Sequence, residues 1–232
     1  MKNPSLLLAA LLTGVALSAQ TPAPAPAPAA NYAVTVDFLY ATKYIFRGIQ
    51  YAEDCLQPSV KFTSGGFYAG IWAYAPLSRG YELEFDYATG YNFALKEGWT
   101  LDLGATLYSY PGLSAGDKTT IEPYLGLNGS FGAVSSATYA YYDATLEVFT
   151  AQQVFGYSVP INEKASCNLS ATLGHASPDS GSGYTYYGLA TTLPFKLSDK
   201  ATFTLGAQYA SHDLDGVDDN HFWGTAGFTY TF

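Results

Sequence analysis

Residues 81–93 read YELEFDYATGYNF and place carboxylates at three alternate positions, Glu82, Glu84 and Asp86. The positions on the other parity are mostly bulky and aromatic. Because successive side chains of a strand point to opposite faces, the segment predicts a strand with one apolar face and one acidic face. In a soluble sandwich the aromatic face would form the core. In a membrane barrel that face would meet lipid, and the carboxylates would line a wet lumen.

The same parity assigns a set of charged residues to an inner face. The candidates for lining a pore are Asp37, Lys43, Arg47, Lys61, Glu82, Glu84, Asp86, Asp102 and Glu122. Basic residues from the first strands, facing acidic residues from later strands, would set up a transverse field that favours cations or zwitterions. The alternative is that these charges form ion pairs that bridge the interior and partly close it. The sequence leaves both arrangements open.

Two further patterns suggest chemistry and are better explained as loops. GLSAG, residues 112–116, matches the G-x-S-x-G nucleophile pattern, which needs a strand before it and a helix after it. Pro111 precedes it and DKTTIEPY follows, so we predict a loop and then a strand, with no catalytic residue. SHDLDGVDDNH, residues 211–221, is rich in carboxylates but lacks the ligand order of an EF-hand loop. We therefore expect no metal and no cofactor.

The composition limits the class of protein that can position such residues. Charged residues make up 12% of the 232, whereas Tyr (21) and Phe (14) are abundant. After residue 19 no run of about 18 apolar residues occurs, which argues against spanning helices. The formal net charge of −9 argues against nucleic acid as a partner.

The amino-terminal region is predicted to be a targeting segment and not part of the fold. MKNPSLLLAALLTGVALSAQ has one Lys, an apolar stretch and then small residues, as in a secretory signal peptide. We assign 1–19 to the signal peptide. Residues 20–31 form a Pro/Ala-rich periplasmic linker, because alternating Pro favours an extended spacer. Residues 32–232 form the barrel.

The barrel region divides into alternating segments separated by Gly, Pro, Asn, Asp and Ser. The predicted strands are 32–47, 56–64, 67–76, 80–94, 97–110, 119–132, 134–143, 146–160, 164–176, 183–197, 200–211 and 221–232. Connectors of a few residues mostly alternate with longer ones, which is typical of outer-membrane barrels. The sequence thus predicts an all-β, transmembrane, antiparallel up-and-down β-barrel of about 12 strands. Membrane-interface aromatic girdles are expected at Tyr68, Trp72, Tyr74, Trp99 and Tyr230.

Five segments occur in order along the first half of the chain: YIFRGIQ (44–50), QPSV (57–60), GFYAGIWA (66–73), ELEFDYATGY (82–91) and YSYPG (108–112). Together they resemble the TorF-like porins, a family of uncharacterised bacterial outer-membrane β-barrel proteins. The residues that carry this resemblance are Tyr44, Phe46, Arg47, Gly48, Gln57, Pro58, Gly70, Trp72, Tyr110, Pro111 and Gly112. The resemblance implies an outer-membrane barrel that passes small solutes, without naming the solute. Lys43 departs from the acidic residue expected at that position.

These observations favour a porin for passive diffusion of small polar solutes or ions in the outer membrane of a Gram-negative bacterium. The expected partners are outer-membrane lipids, the solutes, and the barrel-assembly machinery, which would read the terminal strand ending in Phe232. The alternative is a non-conducting barrel that serves as a structural protein, surface anchor or adhesin. A barrel lipid hydrolase is less favoured, and the oligomeric state is open.

Overall fold

The computed structural model describes residues 32–113 and 118–232, and these form fourteen strands. Their bounds are β1 Tyr32–Ala41, β2 Tyr44–Phe46, β3 Ile49–Ala52, β4 Cys55–Ser64, β5 Phe67–Pro76, β6 Glu84–Ala94, β7 Thr100–Ser109, β8 Thr119–Phe131, β9 Val134–Asp143, β10 Val148–Asn162, β11 Ala165–Pro178, β12 Tyr184–Lys196, β13 Ala201–His212 and β14 Asn220–Thr231. One 3₁₀ turn, Lys96–Gly98, joins β6 to β7. No helix in the described ranges is long and apolar enough to span a membrane.

Twelve of these strands close into an antiparallel barrel. β1 pairs with β4 on one side and with β14 on the other, and every remaining neighbour in the ring is the next strand along the chain. Closure places Thr35 opposite Thr231, so the two ends of the barrel region lie side by side. A closed ring leaves no unpaired strand edge. The predicted antiparallel up-and-down barrel of about 12 strands is confirmed.

The two ends of the barrel differ in their connectors. At one end, here called the short-turn end, the connectors have two to five residues. At the other, the long-loop end, they have four to thirteen residues, and the longest joins β1 to β4. The alternation of short and longer connectors predicted from the sequence is therefore present.

The outer surface of the barrel is apolar. Alternate residues of each barrel strand point outward, and many large hydrophobic side chains on this face are exposed: Phe38, Ile71, Tyr87, Leu107, Leu125, Phe155, Leu173, Leu189, Leu205 and Phe228. Leu189, in the middle of β12, is 57% exposed. Contiguous apolar surface of this extent is unusual for a soluble monomer.

Two predicted strand bounds are wrong. The segment 32–47 does not form one strand, because β1 ends at Ala41 and residues 44–46 form β2, which pairs only with β3. The alternation of apolar residues continues through 44–46, but there it serves a separate two-stranded hairpin. The segment 80–94 begins too early, since β6 starts at Glu84.

Cys55 and Cys167 are both free, and Cys55 is buried at the long-loop end of β4. The predicted signal peptide (1–19) and linker (20–31) lie outside the described residues, as does Ser114 of the G-x-S-x-G pattern.

Candidate functional site

The hairpin formed by β2 and β3, here called the inner hairpin, folds into the barrel. Its two-residue turn consists of Arg47 and Gly48, with φ of 46° and 84°. Positive φ at both central residues is the requirement of a type I′ turn, the tight turn that matches the twist of paired strands. Phe46 and Ile49 flank the turn as a cross-strand pair, and both are buried. The turn therefore projects Arg47 at the tip of the hairpin.

An ion pair anchors that tip to one wall of the barrel. One terminal nitrogen of Arg47 lies 2.9 Å from each oxygen of Glu122, which projects inward from β8. The side chains are 4% and 1% exposed, so the pair is shielded from water. Tyr108 donates a further hydrogen bond to Glu122 (2.9 Å). The guanidinium also stacks over the rings of Phe46 and Tyr141, at 4.7 and 5.0 Å.

The Arg47 guanidinium stays charged in this buried setting. Burial by itself lowers its pKa, but the Glu122 carboxylate, the hydroxyls of Tyr108 and Tyr186 and the hydrogen bond to Glu122 together outweigh burial, and the pKa of Arg47 rises above its usual value. A buried ion pair is stable only when the remaining polar atoms are also satisfied. The bond from Tyr108 and the aromatic faces supply part of that environment.

A second contact holds the base of the inner hairpin to the same wall. The Tyr44 hydroxyl donates to Glu84 of β6 (3.0 Å), and its ring stacks on Tyr74 with centroids 4.6 Å apart. Trp72 packs against the same ring at 5.7 Å. Burial raises the pKa of the Tyr44 hydroxyl well above its usual value, and Glu84 adds to the rise, so the group stays protonated and acts as the donor.

The opposite side of the tip meets the other wall. A Cβ atom on Gly48 would lie 2.9 Å from Cβ of Tyr186 and 3.0 Å from the backbone oxygen of Ser211. Only a residue without a side chain fits at this approach. The inner hairpin thus reaches from β6 and β8 across to β12 and β13, and it fills much of the barrel near the long-loop end.

The wall beneath the inner hairpin is acidic. Glu84 and Asp86 lie on the same face of β6, both completely buried, with Glu122 nearby on β8. Arg47 pairs with Glu122, whereas neither Glu84 nor Asp86 forms an ion pair in the described part of the chain. Uncompensated buried carboxylates are costly, so this wall favours positive charge in the adjacent space.

Toward the short-turn end the interior is open to solvent. Tyr68 donates to Asp102 (2.8 Å), as does Tyr139 (2.9 Å), so these rings face inward. The Lys61 ammonium lies 5.0 Å from the centre of the Tyr68 ring, yet Lys61 is exposed. A lumen-facing side chain can be exposed only if water reaches it. Asp37, in the middle of β1, accepts hydrogen bonds from Ser59 and Thr229.

The structure places the nine predicted pore-lining residues in four settings. Lys43 lies at the mouth between β1 and β2, and Arg47 lies at the hairpin tip and not at the end of a strand as expected. Glu82 precedes β6 and is exposed, so it does not open that strand, and its carboxylate lies over Gly112. The other six belong to barrel strands and face the interior: Asp37, Lys61, Glu84, Asp86, Asp102 and Glu122.

Some of the residues that carry the family resemblance come together at the inner hairpin. Tyr44, Phe46, Trp72 and Tyr110 belong to one buried cluster, although they are far apart in the chain. Tyr110, Pro111 and Gly112 lie in the loop after β7. The remaining members are on β4 and β5: Gln57 donates to the Cys55 sulfur, Pro58 lies opposite Phe38, and Gly70 lies opposite Lys61.

The aromatic girdle prediction is wrong for three residues. Tyr68, Trp72 and Tyr74 are buried inside the barrel and not at its outer rim. Trp99 packs edge-on against Phe131 at the short-turn end, with centroids 5.1 Å apart.

Several site residues were missed by reasoning from the sequence. Tyr74 and Tyr108 share the inward parity of their strands, which would have indicated them. Asp143 is buried and borders a cavity of about 30 Å³ beside Arg47. Tyr186, which meets the hairpin tip and donates to Gln152 (2.8 Å), had no signal in the sequence.

Comparison with known proteins agrees with this architecture. The model of the Gcw_chp family, described as bacterial proteins of unknown function, matches residues 25–223. The chain belongs to the Gcw_chp family. No curated protein sequence matches it.

Solved barrels are similar to this Gcw_chp protein in fold. The KdgM porin superposes with a TM-score of 0.61 at 11% identity, covering 85% of this chain and 99% of that one. The NanC porin gives 0.57 at 13% identity, with 85% and 98% covered. The COG4313 outer membrane channel from Pseudomonas putida F1 gives 0.53 at 9% identity, with 89% and 97% covered. At these identities the likeness concerns the fold.

Proposed function

We propose that this Gcw_chp protein is an outer-membrane porin of the TorF-like type, which lets small polar solutes diffuse passively and prefers cations. The observation that carries the proposal is a closed barrel with an apolar outer surface and a charged interior that water enters from the short-turn end. The fold likeness to the KdgM and NanC porins supports it. In this orientation the short turns face the periplasm and the long loops face outward.

The preference for cations follows from the charges of the described interior. Six carboxylates face inward, and only Arg47 and Lys61 balance them there: Asp37, Glu84, Asp86, Asp102, Glu122 and Asp143. The KdgM porin has been solved in complex with disordered oligogalacturonate. The acidic wall here argues for a different solute class, since fixed carboxylates repel anions and raise the local concentration of cations.

Conductance of the refolded protein in planar bilayers tests the proposal. Under a KCl gradient we expect single-channel steps and a reversal potential of the sign that cation selectivity gives. Anion selectivity would contradict the predicted preference for cations but would still be consistent with a porin. Absence of steps, both in the wild type and in a variant with the inner hairpin released, would contradict the porin itself.

One observation favours a second function. The inner hairpin fills much of the barrel near the long-loop end and contacts two of its walls. If it never moves, the protein is a non-conducting barrel that serves as a structural protein or a surface anchor. Uptake of small solutes into liposomes that contain the protein separates the two functions.

Membrane insertion completes the proposal. Phe232 ends the chain as given, is 67% exposed, and follows β14 with its backbone N–H bonded to Val34 (2.9 Å). We propose that the barrel-assembly machinery recognises this terminal strand, and that outer-membrane lipids cover the exposed apolar face.

A further inference from the structure

A cavity of about 420 Å³, here called the outer vestibule, lies at the long-loop end above the inner hairpin. Its floor is formed by Tyr51 of β3 and Glu53 just beyond it, with Lys43 before β2. His221, near the start of β14, and Asp218 from the preceding loop form one side. The volume is within the range of pockets that bind small molecules.

The lining of the outer vestibule presents charges of both signs. Lys43 belongs to neither of the two ion pairs found in residues 32–113 and 118–232. The Glu53 carboxylate is exposed and accepts a hydrogen bond from Gln50 (3.0 Å), a neutral donor. The vestibule therefore offers a solute the ammonium group of Lys43 and the carboxylates of Glu53 and Asp218.

His221 places an unsatisfied polar side chain beside the outer vestibule. The residue is 3% exposed and borders the vestibule, yet its Nε2 atom has no hydrogen-bond partner among the described residues. The ring is hydrogen-bonded to the backbone of Asp218, and Lys43 is near enough for its charge to act on the ring. His212 lies beyond, with ring centroids 6.2 Å apart. A buried nitrogen without a partner is costly, so this side of the vestibule keeps an unsatisfied polar group.

We propose that the outer vestibule binds a small zwitterion, with a carboxylate and an ammonium group a few ångströms apart, as in an α-amino acid. The solute carboxylate binds Lys43, and the ammonium group binds Glu53, with Asp218 and the ring of His221 at the side of the site. A solute with only one charge would pair with vestibule charges of one sign and leave those of the other sign without a partner. The proposal goes beyond conduction, because binding at the mouth requires no open pore.

Three matched probes test this proposal on the full mature protein in detergent micelles. Glycine carries both charges, acetate only the carboxylate and methylammonium only the ammonium group. We expect saturable binding of glycine by calorimetry or by saturation-transfer NMR, and at least tenfold weaker binding of the other two. No saturable glycine binding, or acetate or methylammonium binding as tightly as glycine, would overturn the proposal.

Paired variants assign the binding to the two charges. Lys43→Met and Glu53→Gln should each weaken glycine binding about tenfold, as expected for loss of one charge-assisted hydrogen bond near the surface. The controls Lys200→Met and Glu97→Gln alter exposed residues at the short-turn end and should leave it unchanged. Equal weakening by the controls would refute the assignment. Because the assay needs no conductance, its failure is distinguishable from failure of the porin proposal.

Discussion

Substitution Glu122→Gln tests whether the Arg47–Glu122 pair holds the inner hairpin in place. The two side chains are 4% and 1% exposed, so the change would strand a buried guanidinium. Removing one partner of a buried pair costs about 3–5 kcal/mol. At the lower value, the equilibrium between docked and released hairpin shifts by about two orders of magnitude. Single-channel recording should show a correspondingly larger fraction of time at high conductance.

Two further variants make this result specific. Asp199→Asn is the matched control, because it makes the same acid-to-amide change in an ion pair at the surface, where Lys196 is 53% and Asp199 98% exposed. This variant should not alter conductance. The double variant Arg47→Met with Glu122→Gln removes both charges and should return conductance toward wild type, since apolar replacement of a buried pair is often neutral. Heat-modifiable electrophoretic mobility verifies folding. Conductance of Glu122→Gln equal to that of Asp199→Asn, in folded protein, would refute the reasoning.

Three other predictions concern the turn, the acidic wall and the outer face. Gly48→Val should release the inner hairpin and raise conductance, because φ is 84° and the new Cβ would lie within 3 Å of the opposite wall. Gly65→Ala is the control: φ is 58° there, but no atom lies within 4 Å of the new Cβ, so conductance should not change. Asp86→Asn should move the reversal potential toward zero under a KCl gradient, and a potential unchanged from that of Asp199→Asn would contradict a role for the acidic wall. Leu189→Arg should destabilise the inserted barrel by about 2–4 kcal/mol, measured by urea titration in lipid vesicles. Ala190→Arg, on the inner face, should destabilise the barrel less. The reverse order would mean that the apolar face does not meet lipid.

The barrel could be predicted because its determinants are local. Alternation of side chains sets which face is apolar, and Gly, Asn and Asp mark the turns. The strand count and the alternation of connectors followed from these signals alone. The orientation of residues 81–93 was also predictable: Phe85 and Tyr87 point outward, and Glu84 and Asp86 point inward.

The inner hairpin could not be predicted because its local pattern is that of an ordinary strand. Tyr44 and Phe46 continue the alternation of β1, so the segment reads as one strand to Arg47. What separates it is long-range packing against Tyr74, Trp72 and Glu122. No single-sequence signal reports contacts of that kind.

The sequence by itself determined that the chain forms a barrel with an apolar exterior and charges inside, since period-two alternation and turn residues act over a few positions. Only the tertiary structure decided what those charges do. Closure of the ring brings Glu84 and Glu122 opposite a hairpin from a different part of the chain, and it gathers Lys43, Glu53 and His221 around one vestibule. Such distances depend on how all twelve strands pair, and no short stretch of the chain encodes them.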